Sequence, residues 1–335
     1  MQKPLVSILM PFKDTEAFLT ACLLSITKQT YAYWEVLAIN DQSTDNSKTI
    51  VETFTKQDLR IKVFDNNGLG IIDALKTAYG LCNGQYITRM DSDDIMPANK
   101  LQAMVDALLK NGPGHLALGQ VRYFSERGIS NGYARYEEWL NRLTDKGSNY
   151  TEIYKECVIP SPCWMAHKED LESCGAFRPN RYPEDYDLAF RFYEKKLKCI
   201  PCHQVLHFWR DYDTRTSRTS EHYAQNYFLD IKLHYFLKLD RDISRPLVIW
   251  GAGNKGKTIA KKLKKKDIDY VWLCDNPKKI GKDIYGKTMQ HFSVLKSLKN
   301  PQSIITVANE QAQTIIHDYF SKKGQNSMTD YFFFC

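Results

Sequence analysis

The chain of 335 residues lacks the features that mark several classes of protein. It contains no run approaching the roughly 18 uninterrupted apolar residues of a membrane-spanning helix. Its N-terminal stretch, residues 1–7, does not show the basic and then apolar pattern of a signal peptide. Its nine cysteines are irregularly spaced, which argues against a disulfide framework. We therefore expect a cytoplasmic protein, and these absences leave open a peripheral attachment to the inner face of the plasma membrane.

The composition is that of an ordinary soluble globular protein, with 43% apolar and 25% charged residues. A length of 335 residues predicts two domains, because single hydrophobic cores seldom grow far beyond about 250 residues. Cys199 and Cys202 form an isolated C-x-x-C pair. A zinc site would need a second such pair, or two histidines at ligand spacing, so we expect no zinc there.

The formal net charge of +7 comes mostly from lysines, many of them in residues 255–266 and 278–287. A solvated helix face is the interpretation that we favour, followed by attraction to an anionic membrane surface. Nucleic acid is not expected as a partner. The tyrosines and phenylalanines do not alternate with the basic residues as a stacking platform requires.

Short apolar runs alternate with helical stretches in the first third of the chain. The runs, which read as buried parallel strands, are residues 5–10, 35–40, 61–64 and 85–90. The helical stretches are residues 16–28, 47–56, 71–81 and 98–110. This alternation predicts a doubly wound α/β sheet, in which ligands bind beyond the carboxyl ends of the strands.

Acidic residues follow three of these predicted strands. Asp14 comes shortly after the first strand, Asp41 directly after the second, and the run Asp91-Ser92-Asp93-Asp94 closes the fourth. The alternative for a single acid is a helix cap, a role open to Asp41 or Asp45 before the helix that starts at residue 47. Acids after three strands of one sheet favour a common site at the carboxyl edge.

The first strand-to-helix turn contains no glycine, so the backbone cradle that holds phosphates in Rossmann and P-loop proteins is missing there. Something else must neutralise an anionic ligand at this edge. Asp91, Asp93 and Asp94 repel one another unless a cation lies among them, and hard carboxylate oxygens suit Mg²⁺ or Mn²⁺. The residues therefore predict a nucleotide-diphosphate site bridged by a metal ion.

Four stretches of the chain, in order, resemble glycosyltransferase family 2, which has the GT-A fold. They are residues 6–14, 40–47, 84–94 and 183–188. The resemblance implies an inverting, metal-dependent transfer of a sugar from a nucleotide-diphosphate donor, a UDP-sugar in the first place. The acceptor would be a glycan or a lipid-linked saccharide, in bacterial surface polysaccharide synthesis.

The resemblance also assigns roles to particular residues. Asp41 would contact the uracil or ribose, and the loop from Pro11 to Asp14 would line the base. Asp93 would be the direct ligand of Mn²⁺ or Mg²⁺, with Asp91 beside it on the ribose side. The expected nucleotide-sugar contacts are Pro11, Phe12, Asp14, Asp41, Arg89, Asp91, Ser92, Arg210 and Arg218.

Glu184 and Asp185 precede a helical stretch and have two interpretations. As acids in the first turn of a helix they would simply be stabilised by its dipole. In the family context, Asp185 matches the general base that deprotonates the acceptor hydroxyl, and Glu184 is the neighbour that positions acceptor or sugar. We take the second interpretation as the prediction.

One departure from the family concerns residues 209–219, where many members carry a histidine that contacts metal or phosphate. Tyr212 stands about where that histidine would be. Arg210, Arg215 and Arg218 are then the better candidates for holding the diphosphate, because guanidinium pairs phosphate bidentately. The string resembles a subgroup of bacterial two-domain family members.

The last ninety residues restart with a strand at 246–250 and the sequence G-x-G-x-x-G formed by Gly251, Gly253 and Gly256. Asp275 ends the next strand, as a dinucleotide fingerprint requires. Further strands at 303–307 and 331–334 and a helix at 310–323 complete a half-sized Rossmann-like unit. The glycines serve either tight packing or a nucleotide-like ligand, and an oligomerisation module is a third interpretation.

Together these patterns predict a GT-A glycosyltransferase domain over residues 1–219, a helical linker over 220–244 and a small Rossmann-like α/β domain over 245–335. The alternative function is a nicotinamide-dependent sugar oxidoreductase that uses the C-terminal glycine motif. The small size of the C-terminal unit and the lack of a following catalytic domain argue against this oxidoreductase.

Overall fold

The structure is a computed structural model that describes residues 3–215, residue 218 and residues 228–335. The chain divides into two compact units. The first comprises Met1–Tyr150 and Val158–Arg215, and the second comprises Thr151–Cys157 and Thr216–Cys335. The domain boundaries placed at residues 219 and 245 stay predictions, because most of residues 216–227 lie outside the described part of the chain.

The first unit is built on one seven-stranded sheet with the strand order β3-β2-β1-β4-β6-β5-β7. Its strands are β1 Val6–Phe12, β2 Trp34–Asn40, β3 Ile61–Asp65, β4 Tyr86–Arg89, β5 His115–Phe124, β6 Trp164–His167 and β7 Lys198–Arg210. β1 to β4 are mutually parallel, and β6 is antiparallel to both of its neighbours. Every residue of β1 and β2 is buried, which explains their continuous apolar runs.

Helices connect the strands of this sheet and cover it. They are α1 Glu16–Thr27, α2 Ser47–Gln57, α3 Gly70–Leu81, α4 Lys100–Asn111, α5 Asn131–Asp145, α6 Lys168–Ser173 and α7 Glu184–Glu194. The first four begin and end within two residues of the helices expected from the sequence. The apolar faces of α1 and α4 pack on the sheet through Leu19, Leu23, Met104 and Leu108.

Strand β1 ends two residues later than its apolar run indicates. Pro11 and Phe12 pair with Ile39 and Asn40 of β2. On the other side, β4 pairs with β1 only as far as Leu9. Beyond Leu9, no strand pairs with β1 on the side of β4. Proline is therefore tolerated at position 11, because the N–H that it lacks would have no partner strand there.

The second unit contains a five-stranded, fully parallel sheet in the order β12-β9-β8-β13-β14. The strands are β8 Leu247–Trp250, β9 Val271–Cys274, β12 Gln290–His291, β13 Gln302–Ile305 and β14 Tyr331–Phe333, with a small hairpin of β10 Asp283–Ile284 and β11 Lys287–Thr288. The helices are α8 Leu229–Tyr235, α9 Asn254–Lys265 and α10 Glu310–Ser321. The strand order reverses at β8, as in Rossmann-like sheets.

The segment Thr151–Cys157 belongs to the core of this second unit. Tyr154 is buried, its hydroxyl lies 2.5 Å from Asp240 Oδ2, and its ring stacks on Phe334 with 5.2 Å between centroids. The described part of the predicted linker contains α8, followed by a π-helical turn over Phe236–Asp240. No helix among the described residues is long and apolar enough to cross a bilayer.

Candidate active site

The loops after β1 and β2 are bound to each other. The backbone N–H of Asp41 donates to the Phe12 carbonyl over 2.9 Å. Asp14 has a positive φ of 48°, and its carboxylate accepts the N–H of Thr44 at 2.7 Å. Aspartate is one of the few residues that adopt this left-handed conformation readily. Pro11 and Phe12 are buried, so this loop presents its backbone rather than the Phe12 ring.

Asp41 is buried and joins the end of β2 to the start of α3. Its Oδ1 atom accepts from Asn66 Nδ2 at 2.7 Å and from the Gly70 N–H at 2.9 Å. The alternative that Asp41 caps helix α2 is therefore wrong, since Gly70 begins α3. Asp45 instead accepts the N–H of Ser47, the first residue of α2, at 2.9 Å.

The three aspartates after β4 have different surroundings, and Asp94 is the structural one. Its Oδ1 accepts the backbone N–H of Arg210 at 2.7 Å, and its Oδ2 lies 2.8 Å from Nε2 of His207. Nδ1 of His207 has no partner among the described residues, so the tautomer that donates from Nε2 to Asp94 avoids a buried, unpaired N–H. Burial lowers the pKa of His207 and raises that of Asp94 to about 7.

Asp93 lies close to the carboxylates of Asp94 and Asp91. Burial, with the nearby charges of Asp94 and Asp91, raises its pKa to about 7. Its Oδ2 accepts the Tyr212 hydroxyl at 2.9 Å, and the Tyr212 ring lies against Phe18 with 4.6 Å between centroids. Tyr212, which the resemblance puts at about the place of a family histidine, thus contacts this aspartate directly.

A divalent cation fits this loop only if part of its coordination comes from a bound ligand or water. No three histidine, cysteine or acidic side chains of the described residues are arranged to hold a metal by themselves. Asp94 is occupied by His207 and Arg210, which leaves oxygens of Asp93 and Asp91 as the protein's contribution. Mg²⁺ commonly binds through one or two carboxylates and substrate phosphates, so the residues present fit such an ion.

Arg89 connects the aspartate loop to the start of α7. Its side chain is only 9% exposed, and it forms two ion pairs at once. Nε donates to Asp91 Oδ1 at 3.0 Å, and Nη1 donates to Glu184 Oε1 at 2.8 Å. Burial opposes the charged guanidinium, but the carboxylates of Asp91 and Glu184 outweigh it and raise the pKa of Arg89. Arg89 therefore brings together two motifs that lie 95 positions apart in sequence.

Asp185 lies beside Glu184 in the first turn of α7, which also contains Asp187. One of its oxygens accepts the N–H of Tyr186 at 2.7 Å. Burial and the neighbouring Glu184 raise the pKa of Asp185 to about 7, against the lowering effect of Arg89. A carboxylate that titrates near neutral pH is suited to accept a proton from a sugar hydroxyl.

The arginines at and after the end of β7 have different surroundings. The Arg210 guanidinium lies between the rings of Phe18 and Phe124, at 4.8 and 4.6 Å from their centroids. Its Nε donates to the Asp93 carbonyl at 2.7 Å. For Arg215, burial is outweighed by the carboxylates of Asp94 and Asp93, which raise its pKa. Arg218 is exposed, and its neighbours in sequence lie outside the described residues.

Ser92 supports the aspartate loop from the side of α1. It is buried, and the Thr15 hydroxyl lies 3.1 Å from its own hydroxyl. Of the residues expected at the donor site, the structure thus brings Asp14 and Asp41 together through their loops. It brings Asp91, Ser92 and Asp93 together with Arg89 and Arg210.

The glycine motif of the second unit forms the turn between β8 and α9. Gly251 has φ +133°, and an added Cβ would lie 2.4 Å from Thr306 Oγ1. A Cβ at Gly256 would lie 2.1 Å from the Gly251 carbonyl oxygen, so close packing explains both glycines. A Cβ at Gly253 would meet nothing within 4 Å. Asp275 follows β9 directly and is exposed.

Sequence reasoning missed the internal ion pairs of this site. Arg89 was expected to contact the nucleotide, whereas its described contacts are Asp91 and Glu184. Asp94 was grouped with the other acids, although it bonds His207. The available signal was the arginine two positions before the aspartate run, which a buried cluster of acids needs as a counter-charge.

A mixed, mainly parallel α/β sheet with this aspartate edge defines a glycosyltransferase of the GT-A fold. TarS from Staphylococcus aureus, solved in complex with UDP-GlcNAc, superposes with a TM-score of 0.55 at 16% identity, over 77% of this chain and 71% of that one. The mannosyltransferase PcManGT from Pyrobaculum calidifontis, solved with GDP-Man and Mn²⁺, superposes with a TM-score of 0.52, also at 16% identity, over 71% of this chain and 64% of that one.

The sequence profile described as Glycosyl transferase family 2 matches residues 7–175, and the chain belongs to that family. An uncharacterized glycosyltransferase of Haemophilus influenzae is 38% identical over 257 residues, which cover 72% of this chain and 77% of that protein. The Escherichia coli UDP-Glc:alpha-D-GlcNAc-diphosphoundecaprenol beta-1,3-glucosyltransferase WfgD is 42% identical over 112 residues. That match covers 33% of this chain and 44% of WfgD, less than half of its length.

Proposed function

We propose that this glycosyltransferase moves a sugar, with inversion, from a UDP-sugar to a glycan or lipid-linked saccharide of a bacterial surface polysaccharide. The observation that carries the proposal is that Arg89 forms two ion pairs at once. One is with Asp91 of the donor loop, and the other is with Glu184, the neighbour of the candidate base. The similarity to WfgD supports a UDP-sugar and a lipid-linked acceptor. GDP-Man in PcManGT means that the fold alone does not select uridine.

On the donor side, Asp41 and the backbone after Pro11 would receive the base and ribose. Asp93, with Asp91, would hold Mn²⁺ or Mg²⁺ against the diphosphate, where the cation supplies neutralisation of the charge on the leaving group. Arg210 would stiffen this loop through its bond to the Asp93 carbonyl, and Arg218 would approach the diphosphate from the segment after β7.

On the acceptor side, Asp185 would act as the general base and Glu184 would position the acceptor. The acceptor hydroxyl oxygen forms a bond to the anomeric carbon while the bond from that carbon to the diphosphate oxygen breaks. The hydroxyl proton passes to Asp185, and the nucleoside diphosphate leaves with the bonding electrons. A single in-line displacement inverts the anomeric centre and needs no covalent enzyme intermediate. The pKa of about 7 supports this role for Asp185.

For the second unit we propose binding of a nucleotide-like ligand without redox chemistry. The supporting observation is Gly253, which neither a positive φ nor close packing requires, and which stands at the start of α9. A diphosphate could approach the backbone N–H groups there, and Asp275 could accept from a ribose hydroxyl. The oxidoreductase alternative needs a second domain to hold a hydride acceptor against a nicotinamide.

A nucleotide-release screen over UDP-, GDP- and dTDP-sugars with Mn²⁺ tests the main proposal on the full chain. We expect release of UDP above the others, and loss of that release in Asp185→Asn. Turnover of GDP- or dTDP-sugars instead would overturn the choice of donor. A fluorescence titration with NADH tests the alternative, and tight NADH binding with reduction of a sugar would establish it in place of the transferase.

A further inference from the structure

The net positive charge of the chain is concentrated in one stretch of the second unit. Residues 254–291 contain eleven lysines, four aspartates and neither arginine nor glutamate, a net charge of +7. This equals the formal net charge of all 335 residues, so the remainder of the chain is electrically balanced. The stretch comprises helix α9, strand β9, the hairpin β10–β11 and strand β12.

Contacts within the second unit bring these lysines onto one surface. Lys264 Nζ donates to the Tyr285 carbonyl at 2.9 Å, and Lys261 Nζ lies 5.1 Å from the centroid of the Tyr285 ring. The hairpin therefore lies beside the C-terminal half of α9. Lys279 Nζ donates to the Ala252 carbonyl at 2.7 Å, which brings the preceding loop to the start of the same helix.

The opposite side of α9 is apolar and packs into the unit through Ile259, Ala260 and Leu263, all of them fully buried. The helix therefore turns its lysines outward. We call the exposed set the lysine face; it consists of Lys261, Lys264, Lys265, Lys266, Lys278 and Lys282.

Acidic residues in the stretch do little to neutralise the lysine face. Asp269 is paired with Lys287, which is outside the set. The Asp283 carboxylate accepts the Gly286 N–H at 3.0 Å and so shapes the hairpin turn. Asp267 and Asp275 are exposed and are outnumbered by the lysines around them.

We infer that the lysine face docks this enzyme on the surface of an anionic lipid bilayer, an inference that rests on the lipid-linked acceptor of the proposed function. A charged bilayer is an extended surface without fixed geometry, which many mobile ammonium groups match. Nucleic acid is the less suitable polyanion, because arginine, the bidentate phosphate ligand, is absent from the stretch. Its tyrosine and tryptophan rings offer no stacking platform, since Trp272 and Tyr270 are buried and the half-buried Tyr285 ring stacks on Trp272 and lies against Lys261.

The test is co-sedimentation of the full chain with vesicles of phosphatidylglycerol and phosphatidylcholine, compared with phosphatidylcholine alone. The patch variant replaces Lys261, Lys264, Lys265 and Lys282 by glutamine. The matched control replaces four exposed lysines of the first unit, Lys28, Lys56, Lys110 and Lys146, and so changes the net charge equally. Both are compared with the unaltered chain by circular dichroism, because Lys264 also contacts Tyr285.

We expect the unaltered chain and the control to bind the anionic vesicles and to leave phosphatidylcholine unbound. Each lysine near such a surface changes affinity by about fivefold, so the patch variant should bind about 10²-fold more weakly or worse. Raising the salt from about 0.1 M to about 1 M should release the chain, as the screening length falls from about 10 Å to about 3 Å. Equal losses in patch and control variants, or tighter binding to duplex DNA than to vesicles, would overturn the inference.

Sugar-nucleotide turnover in solution, measured without vesicles, separates this inference from the proposed function. Turnover without any vesicle binding would refute the docking surface alone. Vesicle binding through the lysine face without turnover of any nucleotide sugar would refute the transferase proposal and leave the surface established. The patch variant should keep its turnover in solution, because none of its four lysines belongs to the candidate active site.

Discussion

The two units present different chemistry at the same place in the parallel part of their sheets, where the first strand turns into its helix. After β1, the turn contains Asp14 in a left-handed conformation, and carboxylates of Asp91 and Asp93 gather nearby. After β8, the turn contains Gly251 and the unencumbered Gly253, and it leads into the lysine-rich helix α9. We propose that the first edge holds an anionic ligand through a cation, whereas the second would hold one through backbone N–H groups.

The difference between the turns after β1 and β8 shows that strand order alone does not indicate how a site at the sheet edge would hold an anionic ligand. The side chains at the strand ends decide it.

Replacing Asp185 by asparagine should lower turnover by about 10²-fold or more, because the amide cannot accept the acceptor's proton. Donor affinity should stay within a few-fold, since Asp185 is assigned to the acceptor side. Steady-state kinetics with a UDP-sugar measures both quantities. Glu169→Gln, an acid in the first turn of α6, is the control for a simple effect on a helix dipole. Unchanged turnover in Asp185→Asn would place the base elsewhere.

Replacing Asp93 by alanine should weaken UDP binding in the presence of Mn²⁺ by roughly 10 to 100-fold or more, because loss of a direct ligand should cost at least as much as loss of an outer-shell partner. Calorimetry on the full chain with and without EDTA measures this loss. Asp106→Ala, at an exposed aspartate of α4, should bind as the unaltered chain does. If UDP binds the unaltered chain equally well in excess EDTA, the first unit needs no cation and the contrast between the units disappears.

Activity should depend on pH through Asp185. Its pKa is raised to about 7, so the base form is lost as the pH falls through that value. We expect kcat/KM to be level above about pH 8 and to decline by about tenfold per pH unit on the acid side. An acid limb with its midpoint near pH 4 would show that Asp185 keeps the pKa of an exposed carboxyl.

In the second unit, Gly256→Ala should destabilise the fold by about 2 kcal/mol or more, because the new Cβ would lie 2.1 Å from a backbone oxygen. Gly253→Ala is the matched variant and should stay within about 0.5 kcal/mol of the unaltered chain, since its Cβ meets nothing. Urea unfolding of the full chain compares the two. Equal destabilisation would mean that Gly253, too, is required by the fold.

Gly253→Ala should nevertheless weaken any binding of UDP or NAD that persists in EDTA, because the methyl group would occupy the approach to the start of α9. Calorimetry with both nucleotides on the Asp93→Ala background isolates the second unit. Binding that is unaffected by Gly253→Ala would leave close packing as the whole reason for the motif.

Much of the fold could be predicted because its signals are local. The strands β1, β2 and β4 are mainly apolar and buried, and a helical stretch follows each strand from β1 to β4, so the predicted ranges differ by few positions from α1 to α4. The acids after β1, β2 and β4 were likewise predictable, since parallel strands align their carboxyl ends. The extension of β1 over Pro11 could not be predicted. It depends on where the neighbouring strand β4 ends, which the sequence around Pro11 does not indicate.

The sequence by itself determined the family, the alternation of strands and helices, the aspartates at the first sheet edge and the glycine turn of the second. Only the tertiary structure decided which side chains meet across long separations. Arg89 with Glu184, His207 with Asp94 and Tyr212 with Asp93 are separated by 95, 113 and 119 positions. The assignment of Thr151–Cys157 to the second unit is of the same kind. Such contacts arise from chain topology and from the need of buried charges for partners, and neither is encoded in a local pattern.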